Sequence, residues 1–181
     1  MRRHRLSVTD YHRMAKAEII ARDARVELID GEIFEMTPIG SDHAGIVKRL
    51  IRLFSMAVGE QAIVSAQDPI VLGTDSEPEP DIALLAPRDD FYTDTHPGAD
   101  EILLLVEVSN TSLHYDKNIK VPLYARYGIP EVWLIDIENR EIWVFQAPSH
   151  DGYNRQSMPV DICSVVPLKL TDISIDLSKL F

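Results

Sequence analysis

Ile102-Leu103-Leu104-Leu105-Val106-Glu107-Val108-Ser109, read with Pro80-Asp81-Ile82-Ala83-Leu84-Leu85 upstream, decides the fold. Short apolar runs bounded by turn-forming residues predict buried strands over 81–85 and 102–108. Each carries a carboxylate: Asp81 opens the first run, and Glu107 follows the apolar part of the second. A carboxylate beside a buried strand loses solvation, which is costly unless it is paired, hydrogen-bonded or bound to a metal. The two stand 26 positions apart. If their strands are neighbours, both reach one edge of the sheet and can hold a divalent cation between them. The residues alone leave a second reading open, in which each carboxylate binds an arginine or caps a backbone turn.

Outward from this pair, the pattern predicts a mixed sheet flanked by helices, an α/β or α+β domain. Upstream, Val26-Glu27-Leu28-Ile29, Asp30-Gly31 and Glu32-Ile33-Phe34-Glu35-Met36 form a hairpin, since Asp-Gly tolerates the positive φ angles of a type I′ turn. Ser7 or Thr9 caps a first helix running through Glu18, with Tyr11, Met14 and Ile19 as its apolar stripe. A longer helix runs from Ser41 to about Val58, where Val47, Leu50, Ile51, Phe54 and Val58 follow helical spacing. His43 lies one turn before Val47 on that inward stripe. Further strands are expected at 62–66, 69–72, 131–136 and 140–146, and the acidic, proline-bearing stretch 73–80 reads as a loop. A helix is expected from Asp116 to Tyr127, with Pro122 inside it giving a kink or a late start. The tail from Asp151 carries short strands and packs its end, 177–181, on the body.

At 181 residues, one domain spanning 1–181 is the expectation. The single cysteine, Cys163, excludes an internal disulfide and cysteine-rich zinc sites. No apolar run reaches the ~18–20 residues that span a bilayer. The basic start Met1-Arg2-Arg3-His4-Arg5 has no apolar stretch behind it, so a cytoplasmic protein without membrane association is expected. A net charge of −11 argues against tight non-specific DNA binding, while it suits a site that concentrates divalent cations. The basic residues cluster at 1–5, at Lys48-Arg49-Arg52 and at Lys117-Lys120-Arg126.

Asp116 and Lys120 sit four residues apart, on one face of the predicted helix. A lysine near two metal-binding carboxylates can position a water or stabilise charge on a phosphate. The plainer alternative is a surface ion pair, with Asp116 as the helix N-cap. His43 either touches substrate or is a core histidine satisfied by a backbone carbonyl. Ser109, His114 and Asp116 superficially suggest a hydrolase triad, but no Gly-x-Ser-x-Gly elbow surrounds Ser109. No phosphate-cradling glycine loop occurs.

Pro80-Asp81, Leu105-Val106-Glu107-Val108-Ser109, Asp116 with Lys120 and Tyr124 at four-residue steps, and Gly128-Ile129-Pro130-Glu131-Val132-Trp133 occur in that order. With Glu27-Leu28-Ile29-Asp30-Gly31-Glu32-Ile33 and His43, this series resembles the Uma family of putative restriction endonucleases. That family is grouped with the PD-(D/E)XK nuclease superfamily, and the resemblance covers nearly the whole chain. It implies a restriction-endonuclease-like core and a magnesium-dependent phosphodiesterase site, with manganese able to substitute. It implies metal ligands at Asp81, Glu107 and the Val108 carbonyl. The superfamily lysine two residues after the second acidic position is replaced here by Ser109. The resemblance therefore shifts that role to Lys120 of the following helix, with Lys117 as understudy. Glu27, His43 and Asp116 match supporting polar positions.

The function so implied is hydrolysis of DNA by a metal-activated water. A symmetric homodimer would give one site per DNA strand. The competing reading is a catalytically silent nucleic-acid-binding or regulatory protein on a nuclease fold, for which Ser109 and the acidic charge speak. A third is an interaction protein whose acidic surface meets a basic partner.

Overall fold

The computed structural model describes residues 3–181; Met1 and Arg2 of the basic start lie outside the described residues. The first helix, α1 (Val8–Lys16), is capped as its sequence predicts. Ser7 Oγ accepts from the Asp10 N–H, while the Asp10 carboxylate accepts from the Ser7 N–H. It ends before Glu18, whose φ of 57° no α-helix tolerates.

The hairpin β1 (Val26–Ile29) and β2 (Glu32–Glu35) pairs Ile29 with Glu32 across Asp30 and Gly31, at φ 48° and 75°. Gly31 is required twice over. Besides its positive φ, an added Cβ would lie 2.6 Å from Arg5 Cβ and 2.9 Å from the Leu6 carbonyl oxygen.

Six strands form the main sheet, in the order β3-β4-β5-β6-β7-β8. They are β3 (Ile63–Ser65), β4 (Ile82–Leu85), β5 (Ile102–Ser109), β6 (Glu131–Asp136), β7 (Glu141–Ser149) and β8 (Gly152–Ser157). All neighbours run antiparallel except β5 and β6, so the expected mixed sheet is present. The parallel pair needs a crossover. It is a helical segment of three joined parts: α3 (Leu113–Tyr115), a π turn (Asp116–Lys120) and α4 (Val121–Arg126). Helix α2 (Ser41–Val58) has the expected bounds.

Two layers cover the sheet. On one face Val47, Leu50 and Phe54 of α2 pack on Val106, Val108 and Trp133, with Leu177 and Leu180 closing the cluster. On the other, Val121, Leu123 and Tyr124 of α4 pack on Leu105, Val132 and Leu134. Side chains alternate along a strand. Val106 and Val108 therefore face α2, and Glu107 between them faces the crossover helix.

Two further expectations need correction. Residues 69–72 form no strand, only single bridges from Val71 to Gly98 and from Leu72 to Ser76. Ile70 and Leu72 are buried, so the apolar signal there reported burial, and Gly73 at φ 66° turns the chain back before a ladder can form. The crossover helix begins at Leu113, not Asp116, and Asp116 is not its cap. Pro122 is absorbed at the start of α4, after a π turn in which the Val121 N–H reaches the Asp116 carbonyl. Beyond Ser157 the tail makes an isolated bridge, Val165 with Ile175, and packs its end as expected, with Arg49 donating to the Leu180 carbonyl. No helix among the described residues is long and apolar enough to cross a membrane.

Candidate active site

Strands β4 and β5 are antiparallel neighbours with Ile82 opposite Val106. This register sets Asp81 beside Glu107 and Val108 at the sheet edge. The Val108 N–H donates to Asp81 Oδ2 at 2.9 Å, and Gln67 Nε2 donates to Oδ1 at 3.2 Å. His43, from the first turn of α2, places Nε2 3.1 Å from Asp81 Oδ2. The partner of His43 is thus a carboxylate. The hydrogen bond to Asp81 raises the imidazole pKa, against a burial effect that lowers it. His43 Nδ1 is buried and has no hydrogen-bond partner among the described residues.

Glu107 is 2% exposed on the other side of β5's backbone from α2. Its Oε1 accepts from the Tyr124 hydroxyl and lies 2.8 Å from Lys120 Nζ. Lys120 is 3% exposed; Nζ also donates to the Glu79 carbonyl at 3.1 Å and lies 3.5 Å from Glu27 Oε2. One carbonyl and two carboxylates thus surround the ammonium. Burial disfavours its charge, yet Glu107, the Tyr124 oxygen, Glu27 and Asp116 outweigh burial and lift the Lys120 pKa well above that of free lysine. Burial also pushes the Glu107 carboxyl up, to about 8, with Lys120 opposing and Asp116 and Asp81 reinforcing. Glu27 is held from β1 by the Tyr115 hydroxyl on Oε1 and the Glu79 N–H on Oε2, both at 3.0 Å.

Asp116 is buried, and its Oδ2 accepts from both Ser109 and Ser112 hydroxyls at 2.6 Å. Its pKa is raised, by burial first. The surface ion pair that spacing allowed between Asp116 and Lys120 is therefore absent: each is buried with other partners. Ser109 supports Asp116 from within the core. Lys117 is not brought to the cluster; its ammonium stands 4.5 Å from the centre of the Trp143 ring. His114 is exposed beside Asn118, so no triad with Ser109 forms.

Asp81, Glu107, Lys120, Asp116 and His43 line one cavity of about 320 Å³. Among the described residues its wall carries Glu27, Glu35, Glu79, Asp81, Glu107 and Asp116 against Lys120, His43 and Arg25. Like charges so crowded favour a cation. The donors fit magnesium in kind, a hard ion that takes carboxylate and carbonyl oxygens and keeps several waters. Glu107 Oε2 has no hydrogen bond among the described residues, since Lys120 and Tyr124 both engage Oε1. No group of three His, Cys, Asp or Glu side chains converges on one point among the described residues. An ion here would rest on Asp81 and Glu107, with Val108's carbonyl, water and substrate oxygens completing its shell.

Tyr124, Tyr115, Glu79 and Gln67 were given no role from sequence. Tyr124 had a signal: it stands four residues after Lys120, one helical turn along the same face. Glu79 and Gln67 act in part through backbone atoms, which no side-chain pattern announces.

The comparison with known proteins agrees with this architecture. A crystal structure described as a putative nuclease belonging to DUF820, from Anabaena variabilis, superposes with a TM-score of 0.68 at 17% identity, covering 86% of this chain and 89% of that one. No curated protein matches the chain. The family model Uma2, described as "Putative restriction endonuclease", matches residues 8–177, nearly the full length, and the chain belongs to that family.

Proposed function

We propose that this protein is a metal-dependent endonuclease that hydrolyses phosphodiester bonds of DNA, with Asp81, Glu107 and Lys120 as its catalytic residues. The observation that carries this reading is the 2.8 Å contact of Lys120 Nζ with Glu107, in the cavity that Asp81 also lines. Ser109 occupies the usual lysine position, and the following helix returns an ammonium to the acidic strand. Asp81 and Glu107 would hold the ion, magnesium or manganese. Bound there, the ion would supply Lewis acidity that lowers the pKa of a water and offsets charge on phosphate.

The remaining work falls to the chain itself. Val108's N–H fixes the Asp81 carboxylate, and Gln67 holds its second oxygen. Tyr124 and Lys120 orient Glu107 from one side. Lys120, kept protonated by its carboxylate neighbours, stabilises negative charge growing on the transferred phosphate. Glu27 and the Glu79 carbonyl hold that ammonium in place. Asp116, tied to Ser109 and Ser112, adds to the field that favours a cation.

Supercoiled plasmid incubated with the protein and Mg²⁺ or Mn²⁺ tests the reading, alongside Asp81→Asn and Glu107→Gln. Nicking by the native chain that chelation abolishes and both variants lack is the expected result. Equal nicking by all three proteins would assign the activity to a contaminant.

A further inference from the structure

Besides the acid cluster, the cavity has an apolar wall that hydrolysis does not need. Phe34 and Met36, from β2 and its exit, line it with Ile39 and Tyr115. The Phe34 and Tyr115 rings meet at 5.3 Å between centroids, tilted by 46°. Ile39 is 40% exposed, an apolar side chain left open to solvent at this wall.

The acidic end of the cavity is recessed. Glu107 and Lys120 are almost wholly buried, and the Asp81 side chain is 13% exposed. A phosphate in the outer backbone of a paired duplex is held away from such a recess by the base pairs behind it. An unpaired nucleotide can enter, as enzymes that extrude a nucleotide from the stack require. The charge distribution agrees. Duplex binding rests on many phosphate contacts, yet Lys48, Arg49 and Arg52 do not line the cavity, and among the described residues Arg25 is the one cation of its wall outside an ion pair.

We propose that the cavity takes one unpaired nucleotide, its base against Phe34, Met36 and Tyr115 and its phosphate at the Asp81–Glu107 end. The substrate class is then single-stranded or locally unpaired DNA, not continuous duplex. This rests on the nuclease reading above. Base-to-aromatic stacking tolerates any sequence because every base has a π face, so the site selects for strandedness.

The test uses the full chain and one oligonucleotide sequence in three forms: single strand, full duplex, and duplex with a central unpaired bubble. With Mg²⁺, the single strand and the bubble should be cut at least ~10-fold faster than the duplex, given the stacking and unpairing energies involved. With Ca²⁺ in place of Mg²⁺, a 2-aminopurine in the single strand should lose fluorescence on binding. Phe34→Leu, and Ile39→Ser at the exposed rim, should weaken that binding more than binding of the duplex. Duplex cut as fast as single strand, or no quenching, overturns the nucleotide site while leaving the nuclease reading intact. Quenching without cleavage of any form leaves the base site standing and removes the nuclease reading.

Discussion

Two buried glutamates occupy the central parallel strands, Glu107 on β5 and Glu131 on β6, at 2% and 1% exposure. Glu131 is surrounded by neutral donors. Its Oε1 accepts from Trp133 Nε1 at 3.0 Å and Gln146 Nε2 at 2.9 Å, and its Oε2 accepts from the Leu168 N–H at 2.6 Å. Those bonds tie β6, β7 and the C-terminal tail together. Glu107 instead meets a buried ammonium, stands near Asp81 and Asp116, and borders a cavity. Burial is the same for both. What separates a structural carboxylate from a candidate catalytic one is the sign of its neighbours and the oxygen it leaves to the cavity.

The largest expected effect breaks the pair apart by activity. Glu107→Gln or Asp81→Asn should lower DNA cleavage by ~10²–10³-fold, the range found when one preorganised electrostatic group is removed. Glu131→Gln should leave the rate per folded molecule within about twofold, because an amide there changes only a structural bond. A plasmid-nicking time course with active fraction normalised by folded content measures both. Equal losses from Glu107→Gln and Glu131→Gln would erase the distinction.

Stability should rank them the other way. In Glu131→Gln one oxygen becomes an NH₂ group, so one of the three donors loses its acceptor; the expected cost is ~1–3 kcal/mol. Glu107→Gln keeps an amide oxygen for the Tyr124 hydroxyl and leaves Glu27 and the Glu79 carbonyl beside the Lys120 ammonium, so urea unfolding without metal should show a smaller loss. A Glu107→Gln variant less stable than Glu131→Gln would mean that Glu107 is a structural anchor first.

Sequence showed the scaffold of this contrast and missed its details. The hairpin, α2 and the strands carrying Asp81 and Glu107 were legible because strict periodicity and an Asp-Gly turn dictate them. Glu107 was legible as a candidate from its strand and Lys120 from its spacing to Asp116, and the family resemblance joined them. Their burial against each other was not legible, since four-residue spacing to Asp116 also fits an exposed helix. Register decided it: β5 alternation turns Glu107 toward the crossover helix, and the π turn carries Lys120 to the same side. Residues 69–72 failed for the converse reason, as burial without a partner strand leaves the same apolar trace. Glu131, in the run Ile129-Pro130-Glu131-Val132-Trp133, carries no local sign that its neighbours are neutral.

A smaller effect sharpens the contrast through pH. The pKa values of Glu107, Asp116 and Glu79 are raised, by burial first in each case, and that of His43 is raised by its bond to Asp81. A group with a raised folded pKa adds stability at pH below its unfolded value, and loses it as pH rises through the folded one. For Glu107 that window runs from 4.5 to about 8. The melting temperature of the metal-free protein should therefore fall as pH rises across this window. Glu107→Gln should flatten the fall. A slope unchanged in that variant would show that Glu107 does not titrate in this window.

The smallest effect concerns the two lysines of one π turn, whose difference mirrors that of the two glutamates. Lys120 is buried among carboxylates; Lys117 points outward, its ammonium over the Trp143 ring of β7. A cation over a partly buried aromatic face such as this contributes ~1 kcal/mol. Lys117→Gln should therefore lower stability by about that amount, and Trp143→Leu in the same background should show most of it as coupling in a double-mutant cycle. Cleavage by Lys117→Gln should stay within about twofold, because the ammonium it removes lies outside the cavity. A loss as large as that of Lys120→Gln would place Lys117 at the substrate during turnover. The π turn would then have to rewind by one residue, exchanging which lysine faces Glu107.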